Sequence, residues 1–220
     1  MREIDTPAGL ARIHVDAAAS AAGAVVLGHG AGGGVGARDL TAVREVALAE
    51  GLTVALVEQP YRVAGRRSPA PARQLDVAWV GVVGALRGAE LSGLPLVVAG
   101  RSSGARVACR TAAETGAAAV LCLAFPLLPP RRASAKPAVS RQPELDAVDV
   151  PTLVVQGTGD PFGMPAPGPR RRIVEVKGNH SLSSDLPALR EAVREWLTTV
   201  LAPPSTPKPA RIAGPARPRR

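Results

Sequence analysis

The sequence predicts an α/β fold: a mostly parallel sheet of about six to seven strands with helices on both faces and no lid domain. Three observations predict it. Short, uninterrupted Val/Leu/Ala runs recur along the chain, as strands buried on both faces require. Segments of helical period separate them. The connections that follow the strands contain no long amphipathic stretch from which a helical lid could be built.

In chain order, the expected strands are 11–15 (ARIHV), 24–28 (AVVLG), 53–57 (TVALV), 96–100 (LVVAG), 118–123 (AAVLCL), 152–156 (TLVVQ) and 172–176 (RIVEV). Helices are expected near 39–50, 73–90, 103–115 and 185–201, with Asp39 capping the first and Asp185 the last, where Pro187 falls in the opening turn. Only 2% of residues are aromatic, so the core must be built from Ala, Val and Leu. Residues 59–72 and 126–150 are irregular loops leaving the carboxyl ends of strands, where open α/β sheets bind ligands.

Composition narrows the function classes. No run approaches the roughly 18 apolar residues of a membrane span. The opening MREIDTPAGL lacks the layout of a secretion signal, so a cytoplasmic protein without membrane association is expected. Cys109 and Cys122 fall on apolar segments and read as buried, reduced thiols; no spacing suits a metal, and neither metal nor cofactor is expected. The net charge is +9, but Lys208, Arg211, Arg217, Arg219 and Arg220 place +5 of it on a Pro- and Arg-rich tail. The chain therefore divides into a domain at 1–202 and a disordered basic tail at 203–220. A nucleic-acid partner is not expected beyond a weak polyanion contact by that tail, and the oligomeric state is not legible.

The sharpest motif is Gly100-Arg101-Ser102-Ser103-Gly104, a G-x-S-x-G between a buried strand and an amphipathic helix. That strand-turn-helix setting is what a nucleophile elbow needs: flanking glycines allow a tight turn that presents the serine clear of its neighbours. The bland alternative is a loop whose serines cap a helix. A serine hydroxyl needs a base. Of three histidines, His14 lies in the first expected strand and His29 in a glycine loop, whereas His180, in GNHS, follows the last strand. An acid to orient it should lie between the two in chain order, and Asp160 does, directly after strand 152–156. Asp146 and Asp149 precede that strand, and Asp185 remains an alternative that reads better as a cap. Oxyanion donors would be the amides of Ser103 and, from the 28–33 loop GHGAGG, Ala31, with His29, Gly30, Gly32 and Arg101 lining the site. The same loop also reads as G-x-G-x-x-G, with Glu58 as a ribose-binding acid. That dinucleotide reading requires a helix to open at the last glycine, and the helix is expected only near Asp39.

With these residues in hand, the chain resembles the α/β-hydrolase superfamily, and more narrowly the dienelactone-hydrolase-like group near the testis-expressed protein 30 and NSL-complex subunit 3 family. The matching segments are GHGAGG (28–33), PYRVAGRRSPAP (60–71), GRSSGARVA (100–108), FPLLPP (125–130), PTLVVQGTGDPFG (151–163) and GNHSL (178–182). The resemblance implies an α/β-hydrolase fold, Ser102, Asp160 and His180 as catalytic residues, and Arg66 and Arg67 beside the site. It departs from its relatives in carrying Ser103 where they often have glycine or methionine. The expected activity is serine hydrolysis of an ester, thioester or lactone of a small acyl substrate. A non-catalytic scaffold on the same fold is the alternative.

Overall fold

The computed structural model describes residues 1–130 and 138–202. It contains β1 (Arg2–Thr6), β2 (Gly9–Asp16), β3 (Ala24–Gly28), α1 (Arg38–Ala49), β4 (Thr53–Glu58), α2 (Pro60–Val63), α3 (Ala72–Arg87), β5 (Leu96–Arg101), α4 (Ser103–Thr111), β6 (Ala119–Leu123), α5 (Gln142–Asp146), β7 (Thr152–Gly157), β8 (Arg171–Val176) and α6 (Leu186–Val200). The strands form one eight-stranded sheet in the order β1-β2-β4-β3-β5-β6-β7-β8. β1–β2 and β2–β4 pair antiparallel, and β3 to β8 run parallel with β4.

The expected fold class stands, with one more strand than the sequence reading counted. The added strand is β1, whose REIDT sequence is largely polar and exposed. An edge strand backed by the sheet on one side only has no apolar run to announce it.

The inner strands are apolar on both sides because each side meets helices. Val26, Val98, Val120, Cys122 and Val154 point to α3 and α4, where Trp79, Val83 and Cys109, joined by Phe125, complete one buried layer. Their chain neighbours Val25, Leu27, Val97, Leu121 and Val155 point to α1 and α6, where Leu40, Val43, Val193 and Trp196 complete the other. Two-residue alternation along each strand thus feeds two cores.

Asp185 caps α6 as expected, its carboxylate accepting from the Ala188 amide at 3.2 Å. Asp39 does not cap α1. The cap position is Ala37, and the Asp39 carboxylate lies inside the first turn, 1% exposed, paired with Arg101. The two irregular loops each carry one short helical turn, α2 and α5. The basic tail, 203–220, lies outside the described residues, as do 131–137. Among the described residues, no helix is long and apolar enough to cross a membrane.

Candidate active site

Strand β5 runs straight into the G-x-S-x-G turn. Ser102 has φ 54° and ψ −113°, a conformation that costs an ordinary side chain about 1–3 kcal/mol and persists only where the surroundings impose it. Here two glycines impose it. A Cβ on Gly100 would lie 2.3 Å from the Gly104 carbonyl carbon, and one on Gly104 would lie 2.5 Å from the Gly28 oxygen. The first turn of α4 therefore folds back hard against the ends of β5 and β3, leaving the serine at the apex. Ser103 opens the helix instead, so of the adjacent serines it is Ser102 that occupies the bend.

At the apex, Ser102 Oγ lies 2.8 Å from His180 Nε2, and His180 Nδ1 lies 2.7 Å from Asp160 Oδ2. Because an ionised carboxylate only accepts, Nδ1 carries the proton and Nε2 is left to accept from the serine hydroxyl. Asp160 sits in the turn after β7 with its side chain 1% exposed. Three donors hold it. Besides His180, these are Gln156 Nε2 (2.9 Å) to Oδ2 and the Phe162 amide (2.9 Å) to Oδ1. The Phe162 ring meets the imidazole edge-on, with centroids 4.5 Å apart. The loop bearing His180 comes this close because Gly157 has no side chain: a Cβ there would meet the Asn179 oxygen at 2.5 Å. Leu182, buried with φ 51°, anchors the far side of the same loop.

The 28–33 loop stands on the serine's other side. A Cβ on Gly30 would lie 3.4 Å from Ser102 Cβ, so the loop and the Ser102 bend are in direct contact. Tyr61 Oη donates to the Ala31 carbonyl at 2.9 Å. Beneath the loop, His29 is 2% exposed: its Nδ1–H donates to the Gly30 carbonyl (2.8 Å) while Nε2 accepts from the Gln59 amide (3.1 Å). Burial pushes the His29 pKa below its ordinary value, in keeping with a neutral ring fixed by those two bonds. Among the described residues, neither the Ala31 nor the Ser103 amide donates to a protein acceptor. The arrangement offers a hydroxyl with a base behind it, and two free N–H groups on the elements either side.

The glycine loop does not lead directly into a helix, since α1 begins only at Arg38, and Glu58 faces His14 (3.3 Å) and Arg12 (3.6 Å). A dinucleotide site is therefore not built here. Arg101 lies beside the bend and pairs with Asp39 at 2.8 Å, while burial pushes the Asp39 carboxyl up and the guanidinium pulls it the other way. Arg66 and Arg67 are exposed. Arg66 lines a cavity of about 420 Å³ with Gly9, Leu10, Pro60, Tyr61 and Gln74, and neither arginine bonds to Ser102, Asp160 or His180. Gln156, Phe162, Tyr61 and Asp39 were not legible as site residues. A glutamine ending an otherwise apolar strand, TLVVQG, was the one signal that could have found any of them.

No curated protein matches the sequence significantly. The fold is shared with a lidless α/β serine hydrolase from Xanthomonas campestris (20% identity, 94% of this chain and 95% of that one, TM-score 0.73). It is also shared with Est1E from Butyrivibrio proteoclasticus, a structure with ferulic acid bound (16% identity, 92% and 100%, TM-score 0.72). A third similar structure is the dienelactone hydrolase of Anabaena variabilis (19% identity, 90% and 95%, TM-score 0.69). The family model for the alpha/beta hydrolase domain matches residues 21–185, from before the glycine loop to past His180, and the chain belongs to that family.

Proposed function

We propose that the protein is a serine hydrolase acting on an ester, thioester or lactone of a small acyl compound. The observation that carries the reading is the unbroken relay Ser102 Oγ–His180 Nε2 (2.8 Å) and His180 Nδ1–Asp160 Oδ2 (2.7 Å), with the serine on a positive-φ bend. Ser102 Oγ attacks the acyl carbonyl as its proton passes to His180 Nε2. The tetrahedral oxyanion is met by the amides of Ser103 and Ala31, a kind of stabilisation worth about 3–4 kcal/mol per donor. His180 then protonates the leaving oxygen or sulfur, and the Ser102 ester remains. Water attacks this ester and gives its proton to His180, which passes it to Ser102 Oγ as the acid leaves, restoring the hydroxyl. Asp160 keeps the imidazole in the required tautomer and stabilises its cation.

The segments at 28–33, 60–71 and 100–108 also support kinship with the testis-expressed protein 30 and NSL-complex subunit 3 group. A fluorophosphonate probe tests the activity. Labelling of the wild-type protein that Ser102→Ala abolishes is the expected result, and absence of labelling in folded wild-type protein refutes the enzyme in favour of a scaffold. A panel of p-nitrophenyl esters of graded length then ranks acyl groups.

A further inference from the structure

Arg101, the residue directly before the serine, engages three elements with one planar group. Its Nε lies 2.8 Å from Asp39 Oδ2 in the first turn of α1. Its Nη2 donates to the main-chain carbonyl of His180 at 3.2 Å. Its Nη1 rests against Gly30, where a Cβ would come within 2.9 Å of it. The Asp39 side chain is 1% exposed and that of Arg101 18%, so the pair is mostly withdrawn from water. A pair so placed gains little net stability, because desolvation offsets the attraction. Among the described residues, neither side chain hydrogen-bonds to Ser102 Oγ, the His180 ring or Asp160, so the proposed hydrolytic steps make no direct use of them.

The elements it joins leave strands that are not neighbours: the glycine loop follows β3 in the middle of the sheet, and the His180 loop follows β8 at its edge, with β5, β6 and β7 between them. Arg101 is bonded to Ser102 through one peptide. A shift of the guanidinium relative to either loop is therefore a shift of the nucleophile relative to its base or its oxyanion loop. We propose that Arg101, held by Asp39, is a positioning residue that sets the main chain of His180 and the Gly30 turn in one register with Ser102. A guanidinium can do this because one rigid plane fixes the spacing of the Asp39 ion pair, the Nη2–H bond to His180 and the packing on Gly30, whereas a lysine ammonium offers one point of charge.

The inference rests on the hydrolase reading, and the test separates the two. In the full chain, Arg101→Met, Arg101→Lys and Asp39→Asn are compared with wild type for fluorophosphonate labelling rate, kcat and KM on p-nitrophenyl acetate, and Tm. Misplacement of reacting groups by about 1 Å can cost on the order of 100-fold, so kcat in Arg101→Met should fall by about 10- to 100-fold with KM changed less than about twofold. Arg101→Lys should recover less than about a tenth of the lost rate, and Asp39→Asn should lose kcat in the same direction, non-additively with Arg101→Lys. Should Arg101→Met not fold, the other two variants carry the comparison. Labelled wild type with unchanged kcat in Arg101→Lys and Asp39→Asn overturns the positioning role alone, as does a rise in KM with kcat unchanged. Unlabelled wild type overturns the hydrolase reading and this inference with it.

Discussion

The close approach of α4 to the end of β3 gives the sharpest test of how the Ser102 bend is built. In Gly104→Ala the new Cβ would sit 2.5 Å from the Gly28 oxygen, 2.7 Å from the His29 oxygen and 2.8 Å from the Gly28 carbonyl carbon, against 3.4–4 Å for ordinary contact. All three atoms are backbone, so no side chain can swing away, and α4 must separate from the end of β3 by about 1 Å. Overpacking of this kind costs about 2–3 kcal/mol, offset by about 1 kcal/mol because alanine suits a helix better than glycine. The net, about 1–2 kcal/mol, corresponds in a chain of this length to a Tm lower by about 2–8 °C. The same displacement parts the glycine loop from Ser102, and a shift of that size should slow probe labelling by about 100-fold, more than stability alone would suggest. Gly84, exposed on α3 with nothing within 4 Å of where an added methyl would lie, gives the opposite case. Gly84→Ala should raise stability by about 0.5–1 kcal/mol and leave labelling untouched. Calorimetry and labelling rate measure both variants. If Gly104→Ala melts with wild-type protein and labels at the wild-type rate, the helix does not approach β3 as described, and the account of the bend is wrong.

Three further outcomes follow from the site and core. Asp160→Asn should keep the fold yet slow ester hydrolysis by about 10³–10⁴-fold, because an amide no longer enforces the Nδ1–H tautomer; steady-state kinetics with a matched Tm checks it. Cys109 and Cys122 lie 3.4 Å apart at Sγ and are 4% and 0% exposed, and their mutual hydrogen bond with burial pushes the Cys122 thiol up. Neither should react with Ellman's reagent in the native state, and both should in denaturant. Burial lowers the His29 pKa from 6.5, so below about that pH the unfolded chain takes up a proton that the folded one refuses. Stability is present above that value and lost as pH falls toward the folded pKa, by up to about 1.4 kcal/mol per pH unit from this residue, and urea midpoints should show a shallower loss in His29→Gln.

The parts of the molecule legible in the sequence were those governed by local pattern. Val25–Leu27 and Val97–Ala99 announce themselves as strands because both their faces are covered, and the two glycines of G-x-S-x-G mark a place where helix and strand nearly touch. Chain order together with position just after a strand singled out His180 and Asp160, and both lie at the serine. What escaped depends on partners distant in sequence. Asp39 looks like a cap until Arg101 is seen to claim it, and Gln156 looks like a strand end until Asp160 folds over it. Residues 2–6 escaped for a different reason: one strand partner and open solvent leave an edge strand free to be polar.

The order of strands across the sheet has a consequence for how reactivity arises. The hydroxyl follows β5, the carboxylate follows β7 and the imidazole follows β8, with β6 seated between the first two. During synthesis the serine emerges 78 residues ahead of the ring it must meet. If the proposed relay operates, Ser102 has no base beside it until the loop after β8 is in place at the sheet's edge. On the proposed reading, an active-site probe would therefore capture only copies in which the loop after β8 has brought His180 to Ser102.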